Sequence, residues 1–274
     1  MSTRKQDGTI LDSPSRTQII EIFPAETPSI AADSHPGFQR ENNEDSFGTS
    51  VAPGGAALLF VADGIGGNSG GDLASQFTTK SLLAQWKRFT ACGDMPGADA
   101  AVSFFRNTLE DINRTVYGIN ADQGTLSMPM GTTVAALALL TAQIVVAHAG
   151  DSRVYRVRAN RIECLTEDHS MVQKWVRDGV LAPEDAATHP MSHVIYKSIG
   201  QQRTLEPDIK ILDRKPGDRF IVCSDGLMCH VSDPEIRDVV TRADSAQNAV
   251  RSLITLALKR GGYDNVTVVC CIQP

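Results

Sequence analysis

The sequence lacks any stretch long enough to cross a membrane: runs such as Thr132 to Ala142 fall far short of the roughly 20 apolar residues a spanning helix needs. Its opening, MSTRKQDGTILDSPSR, has no apolar core of a secretory signal, which argues against export. Positive charge is not in excess. The 26 Lys and Arg against 32 Asp and Glu leave a net −6, the wrong sign for a nucleic-acid surface. Aromatics make up only 5% of the residues and form no basic, ring-studded strip. None of the six cysteines, Cys92, Cys164, Cys223, Cys229, Cys270 and Cys271, stands in a C-x-x-C pair. A zinc ribbon or disulfide framework is therefore not indicated, and they read as small buried hydrophobes in a reducing cytosol. A G-x-x-x-x-G-K-[ST] phosphate loop, internal repeats and low-complexity linkers are also missing.

What is present is a globular composition, 42% hydrophobic and 21% charged over 274 residues, enough to bury a core without staples. Residues 1–16 are polar and aperiodic and read as a flexible tail. Residues 17–274 read as a single domain, with an edge strand expected over 17–23 (TQIIEIF).

Ala56 to Ala62 is a continuous apolar run that suits a strand buried on both faces. Thr132 to Leu140 and Gln143 to Ala149 are separated by so short a link that they must pair antiparallel. Arg153 to Arg158 turns through Ala159-Asn160 into Ile162 to Leu165, a second hairpin. Further strands are expected over Asp208 to Leu212, Arg219 to Cys223 and Asn265 to Ile272. Helical spacing places a helix over Asp72 to Trp86, with Leu73, Phe77, Leu82 and Trp86 as its core face. A second carries the stripe Val102, Phe105, Leu109, Ile112, Val116 and Ile119, and a third runs from Ser245 to Arg260 and stops at Gly261-Gly262. Hairpins in runs, two adjacent helices and a late one indicate an α+β layered fold.

The chemical signal lies in carboxylates at strand ends. Phe60-Val61-Ala62-Asp63-Gly64 and Ile221-Val222-Cys223-Ser224-Asp225-Gly226 each deliver an Asp from an apolar strand, followed by a glycine that permits close backbone approach. Gly150-Asp151, Asn43-Glu44-Asp45 and Asp264-Asn265 stand at other strand ends. Any one of these is an ordinary turn. Five converging ionised carboxylates would repel one another strongly unless hard divalent cations lay among them. An all-oxygen donor set suits Mg²⁺ or Mn²⁺, and two such ions are a general solution to phosphoester hydrolysis. The Gly64-to-Gly70 stretch has the look of a dinucleotide loop, but Asp63 would put negative charge where pyrophosphate sits, and the next strand pair is antiparallel.

These residues resemble the metal-dependent, type 2C Ser/Thr protein phosphatases, in their bacterial single-domain form. Gly37 to Asp45 is similar to that family's G-x-x-R-x-x-N-E-D opening, and Asp63-Gly64-Ile65-Gly66-Gly67 with Gly71 and Ala74-Ser75 to its D-G-x-G-G…G-x-x-A-S segment. Gly131-Thr132-Thr133, Gly150-Asp151-Ser152-Arg153, Ser224-Asp225-Gly226-Leu227 and Asp264-Asn265-Val266-Thr267 match further motifs in order, from about residue 31 to 272.

The resemblance implies a four-layer α-β-β-α sandwich of two antiparallel sheets packed face to face, and cytoplasmic hydrolysis of phosphoserine or phosphothreonine. It implies that Asp45, Asp63, the Gly64 carbonyl, Asp225 and Asp264 hold two Mn²⁺ or Mg²⁺ ions. Glu44 would act through water, Asp151 with Asp225 would hold a weaker third ion, and Arg40 would clamp the phosphate. Metal-activated water would attack phosphorus directly, with no phosphoenzyme. A Ser/Thr kinase and its targets would be partners, with no nucleic acid or membrane involved, and the protein would act as a monomer. Residues 166–200 resemble the bacterial flap that borders the site. Ile65 stands where some members carry a His proposed as general acid, so the proton donor is open; water is favoured over His169, His189 and His193, and His148 reads as a core histidine. The alternatives are a non-catalytic scaffold, although no matched ligand residue is lost, and a two-metal phosphodiesterase.

Overall fold

A computed structural model describes residues 28–66, 70–124, 129–186 and 188–273. The tail expected over 1–16 and the strand expected over 17–23 lie outside these residues. The chain forms β1 (Ser29–His35), β2 (Ser46–Val51), β3 (Ala57–Ala62), β4 (Gly64–Ile65), α1 (Gly70–Phe89), α2 (Ala98–Asp122), β5 (Gly131–Thr132), β6 (Val134–Leu139), β7 (Gln143–Ala149), β8 (Arg153–Arg158) and β9 (Arg161–Cys164). There follow α3 (Met171–Arg177), α4 (Pro183–Ala186), β10 (Asp208–Asp213), β11 (Arg219–Cys223), α5 (Asp225–Met228), α6 (Asp233–Arg242), α7 (Ala246–Lys259) and β12 (Val266–Ile272).

Two five-stranded sheets, ordered β1-β12-β11-β8-β9 and β10-β7-β6-β3-β2, are antiparallel throughout, and β4 pairs with β5. Period-two alternation explains why apolar runs without polar gaps form the middle strands. In β3, Leu58 and Phe60 face α1 and α2, whereas Ala57, Leu59 and Val61 face the other sheet. In β11, Ile221 and Cys223 face the α5–α7 side, and Phe220 and Val222 point inward. Three apolar layers thus separate helices, sheet, sheet and helices, which is the four-layer sandwich the family resemblance implied. No helix among the described residues is long and apolar enough to cross a membrane.

Several details differ from expectation. In α1, Leu82 and Trp86 are buried, but Leu73 is 62% exposed and Phe77 37%. The buried face there is Gly71, Ala74, Ser75, Thr78 and Thr79 instead. The reason is close approach: a Cβ on Gly71 would lie 2.8 Å from the Gly64 carbonyl carbon, so the first turns select small residues. In α2, Phe105, Leu109, Ile112 and Val116 are buried, while Val102 is half-buried and Ile119 marks the exposed rim. The strand expected over Thr132 to Leu140 breaks at Thr133, where β5 leaves to pair with β4. The edge strand β1, which carries no strong periodic signal, and helix α6, in which Ile236, Val239 and Val240 recur at helical spacing, add to the expected elements. β12 supplies the partner of β1, while α6 begins on a local capping box in which the Glu235 carboxylate accepts from the Ser232 N–H. The β8–β9 turn forms as read, with Ala159 and Asn160 both at positive φ.

Candidate active site

The register brings five strand ends to one rim of the sandwich. Asp45 precedes β2 and Asp63 follows β3, and their neighbours Ser46 and Ala62 are paired. Asp151 lies just beyond Ala149, which pairs with Val134. Asp225 lies just beyond Cys223, which pairs with Val268, and Asp264 lies just ahead of β12. Antiparallel pairing forces this convergence, because the end of one strand lies beside the start of its neighbour.

Asp45 is held by hydroxyls. Its Oδ2 accepts from Ser224 Oγ and from Thr267 Oγ1, each at 2.6 Å. Thr267 has spent its proton on Asp45, so at 2.7 Å it must accept from Ser34 Oγ, which accepts in turn from Asn43 Nδ2. Asn265 ties down the opening loop: its Oδ1 accepts from the Glu44 N–H at 2.8 Å, and its Nδ2 donates to the Pro36 and Asn42 carbonyls. Thr133 holds the other side, with Oγ1 accepting from the Asp63 N–H at 3.0 Å and its own N–H donating to the Asp63 carbonyl at 2.8 Å. Ser224, Asn265, Thr133 and Thr267 stood inside the sequence motifs, but their orienting roles were not legible there. Ser34 gave no sequence signal at all.

Glu44 and Gly64 meet at the same place. The Glu44 carbonyl accepts from the Gly64 N–H at 3.2 Å and from Ser75 Oγ at 2.6 Å. A Cβ on Gly64 would lie 2.5 Å from Gly71 backbone, so only glycine permits this crossing. Arg40 reaches across to Asp264, Nη2 to Oδ2 at 2.8 Å, and its side chain is 55% exposed. The structure therefore brings together Arg40, Glu44, Asp45, Asp63, Gly64, Asp151, Asp225 and Asp264.

The carboxylates sit at electrostatic cost. Burial, and then the repulsion of Asp225 and Asp264, pushes Asp45 up to about 7 despite its two hydroxyl donors. Burial followed by the neighbouring carboxylates pushes Asp151 to about 8 and Asp225 to about 6. Asp63 is raised well above the usual range by burial and then by Asp45, Asp225 and Asp151. Glu44 is raised by burial. Two buried oxygens, Asp45 Oδ1 and Asp151 Oδ1, have no hydrogen-bond partner. Orphaned, hard, negatively charged oxygens crowded at one point are a donor set that fits divalent cations.

The arginine of the Gly150-Asp151-Ser152-Arg153 motif plays a different part. Arg153 forks onto Asp168, with Nε and Nη2 at 2.8 and 2.7 Å, and so braces the start of the segment 166–200. His169, beside it, is buried and stacks on His148 with ring centroids 4.6 Å apart and planes 5° apart. With Asp208 these form a cluster whose ligand-type atoms lie within 4.8 Å of one another. It is built as structure instead of as a metal site. Parallel rings aim their in-plane lone pairs side by side, His148 Nε2 donates to the Glu167 carbonyl at 2.9 Å, and the Lys197 ammonium occupies Asp208. His148 is thus a satisfied core histidine, as read from the sequence.

Comparison with known proteins agrees with this geometry. The sequence model of the family described as Protein phosphatase 2C matches residues 38–260. Protein phosphatase PhpP of Streptococcus pneumoniae is 33% identical over 232 residues, covering 85% of this chain and 92% of the relative. The solved serine/threonine phosphatase of S. agalactiae superposes with a TM-score of 0.83 at 34% identity, covering 90% of this chain and all of that one. The catalytic domain of the serine/threonine protein phosphatase PstP, solved in complex with two manganese ions, gives a TM-score of 0.76 at 32% identity, over 89% and 97% of the two chains. In fold, in motif order and in overall sequence, this chain belongs to the protein phosphatase 2C family and is a serine/threonine protein phosphatase.

Proposed function

We propose that the protein is a metal-dependent hydrolase of phosphoserine and phosphothreonine in proteins, working by direct attack of water on phosphorus. The observation that carries this reading is the convergence of five strand-end carboxylates, of which Asp45, Asp63, Asp151 and Asp225 have raised pKa values and Asp45 and Asp151 each carry a buried, unpartnered oxygen. Asp45, Asp63, the Gly64 carbonyl, Asp225 and Asp264 would hold two divalent ions, Mn²⁺ or Mg²⁺, and Asp151 with Asp225 a weaker third. The two manganese ions bound by PstP support this count. Bound there, the ions supply Lewis-acid activation of water and neutralise the phosphate oxyanions.

The chain's own groups do the rest. Arg40, half-exposed above Asp264, offers its guanidinium to the phosphate oxygens. Glu44, whose backbone is fixed by Asn265 and Ser75, accepts hydrogen bonds from water entering the site. The Ser224 and Thr267 hydroxyls fix which oxygen of Asp45 faces inward. Cys229 is no rival nucleophile, because burial and then the neighbouring carboxylates push its thiol up to about 11. His169 is buried against His148 and His189 lies against Trp175, so water supplies the leaving-group proton in this reading.

Residues 17–274 act as one domain and as a monomer, since one chain carries every proposed ligand. The substrates are phosphoproteins, among them a Ser/Thr kinase and its targets. Six cysteines without disulfides fit a reducing, cytoplasmic setting. The test is phosphate release from a phosphothreonine peptide and from p-nitrophenyl phosphate with Mn²⁺, with Mg²⁺ and with EDTA. Activity should require the ion and fall by on the order of a thousandfold in Asp45→Asn, Asp63→Asn, Asp225→Asn and Asp264→Asn. Near-normal turnover in folded Asp225→Asn overturns the assignment.

A further inference from the structure

Two exposed aromatic rings stand beside the proposed phosphate clamp and take no part in it. Phe38 is 62% exposed and Tyr263 57%. Phe38 precedes Arg40 by two residues, and Tyr263 immediately precedes Asp264, the carboxylate that Arg40 holds. The two loops that carry them are stitched together: the Phe38 N–H donates to the Gly262 carbonyl at 2.7 Å. Gly262 lies at φ +52, and a Cβ there would come within 3.1 Å of the Phe38 ring.

Both rings are positioned by histidines. His35 meets Phe38 edge-on, with centroids 5.8 Å apart. His230 lies against Tyr263 at 5.0 Å, and its Nε2 accepts the Tyr263 N–H at 3.1 Å. The His230 carbonyl is in turn held by Arg260, which is fixed to Glu235. Scattered surface hydrophobes need no explanation, but two braced aromatics on one loop pair flanking a reactive centre form a contact surface. Rigid rings give large apolar contact at little entropic cost on binding.

We propose that Phe38 and Tyr263 form an aromatic collar that binds the residues flanking the phosphorylated residue of a substrate protein, selecting apolar or aromatic neighbours. This rests on the phosphatase reading of Arg40 and the carboxylates. The rings stand within two residues of Arg40 and next to Asp264, so the residues flanking a phosphate held at Arg40 are the part of a substrate placed to meet them. No charged group is needed for the contact, so the selection differs in kind from the clamp's hold on phosphate.

The experiment uses two phosphothreonine peptides that differ only at the flanking positions, Phe and Leu in one, Ser and Gly in the other. With Mn²⁺ present, the wild-type protein should favour the apolar-flanked peptide by about tenfold in kcat/KM, carried by KM. Phe38→Ser and Tyr263→Ser should each draw that ratio towards one, and Phe38→Trp and Tyr263→Phe should restore it. A wild-type ratio of one overturns the collar without recourse to any variant. Serine variants that lose equally on both peptides overturn it as well, since the rings would then shape the centre instead of reading the substrate. Absence of phosphate release from either peptide by the wild-type protein overturns the phosphatase reading, and the collar with it.

Discussion

Gly150 and His169 hydrogen-bond to each other twice. The His169 N–H donates to the Gly150 carbonyl at 3.0 Å, and the Gly150 N–H donates to His169 Nδ1 at 3.1 Å. The acceptor role of Nδ1 places the ring proton on Nε2, which faces Asp208 Oδ1 at 3.4 Å. Gly150 has φ +115, which L side chains rarely adopt, and it immediately precedes Asp151. The start of the segment 166–200 and the strand end carrying Asp151 are therefore one mechanical unit.

Replacing this ring tests the unit. His169→Phe keeps an aromatic on His148 but strands the Gly150 N–H, at a cost of about 1–3 kcal/mol. His169→Asn can offer an oxygen near the Nδ1 position and should recover part of that loss in thermal unfolding. Burial, then His148 and Lys197, lowers the His169 pKa from 6.5 to about 4. The unfolded chain thus binds the proton more readily, and this contribution to stability is present above pH 6.5 and lost as pH falls towards 4. The acid-side decline in melting temperature should be shallower in His169→Asn.

The carboxylates predict the opposite slope in metal-free protein. Asp225, Asp45 and Asp151 stand at about 6, 7 and 8 against 3.8 for a free Asp, so the folded state holds protons that the unfolded chain has released. Stability from these groups is complete below about pH 4 and is lost as pH rises through 6 to 8. Saturating Mn²⁺ should remove that alkaline-side decline and raise stability by about 2.7 kcal/mol at a hundred times its Kd. Melting curves from pH 5 to 8.5 with EDTA and with Mn²⁺ would show it; identical curves would refute cation binding at this cluster.

Arg40 and the hydroxyls behind Asp45 should fail in different ways. Arg40→Ala should lower kcat/KM by roughly 10- to 100-fold while leaving the Mn²⁺ concentration dependence nearly unchanged. Arg40→Lys should recover little, because an ammonium cannot fork onto two phosphate oxygens. Ser224→Ala and Thr267→Val remove the donors to Asp45 Oδ2. Each should weaken the Mn²⁺ requirement curve by roughly 10- to 100-fold and restore most activity at high ion concentration. Titration of activity and of direct Mn²⁺ binding separates the two classes.

The amino-acid order alone determined the strands whose residues are apolar on both faces, such as Ala57 to Ala62, and helices with a full stripe, such as α2 and α7. In these segments burial and local periodicity agree, so no distant contact is needed to decide the structure. It also marked the carboxylates that the fold gathers at one rim, because Asp-Gly and Asp-Asn at strand ends are local patterns that recur in a fixed order. Tertiary structure decided the rest. Leu73 and Phe77 match a core stripe, yet the close packing of α1 on Gly64 turned small residues inward and left these two outside. β1 exists because β12 pairs with it. The chain of donors from Asn43 through Ser34 and Thr267 to Asp45 spans segments more than 200 residues apart, and only pairing of β1 with β12 brings them into register. Hydrogen-bond direction and carboxylate repulsion depend on separations of a few ångströms between distant segments, and those separations are set by the fold.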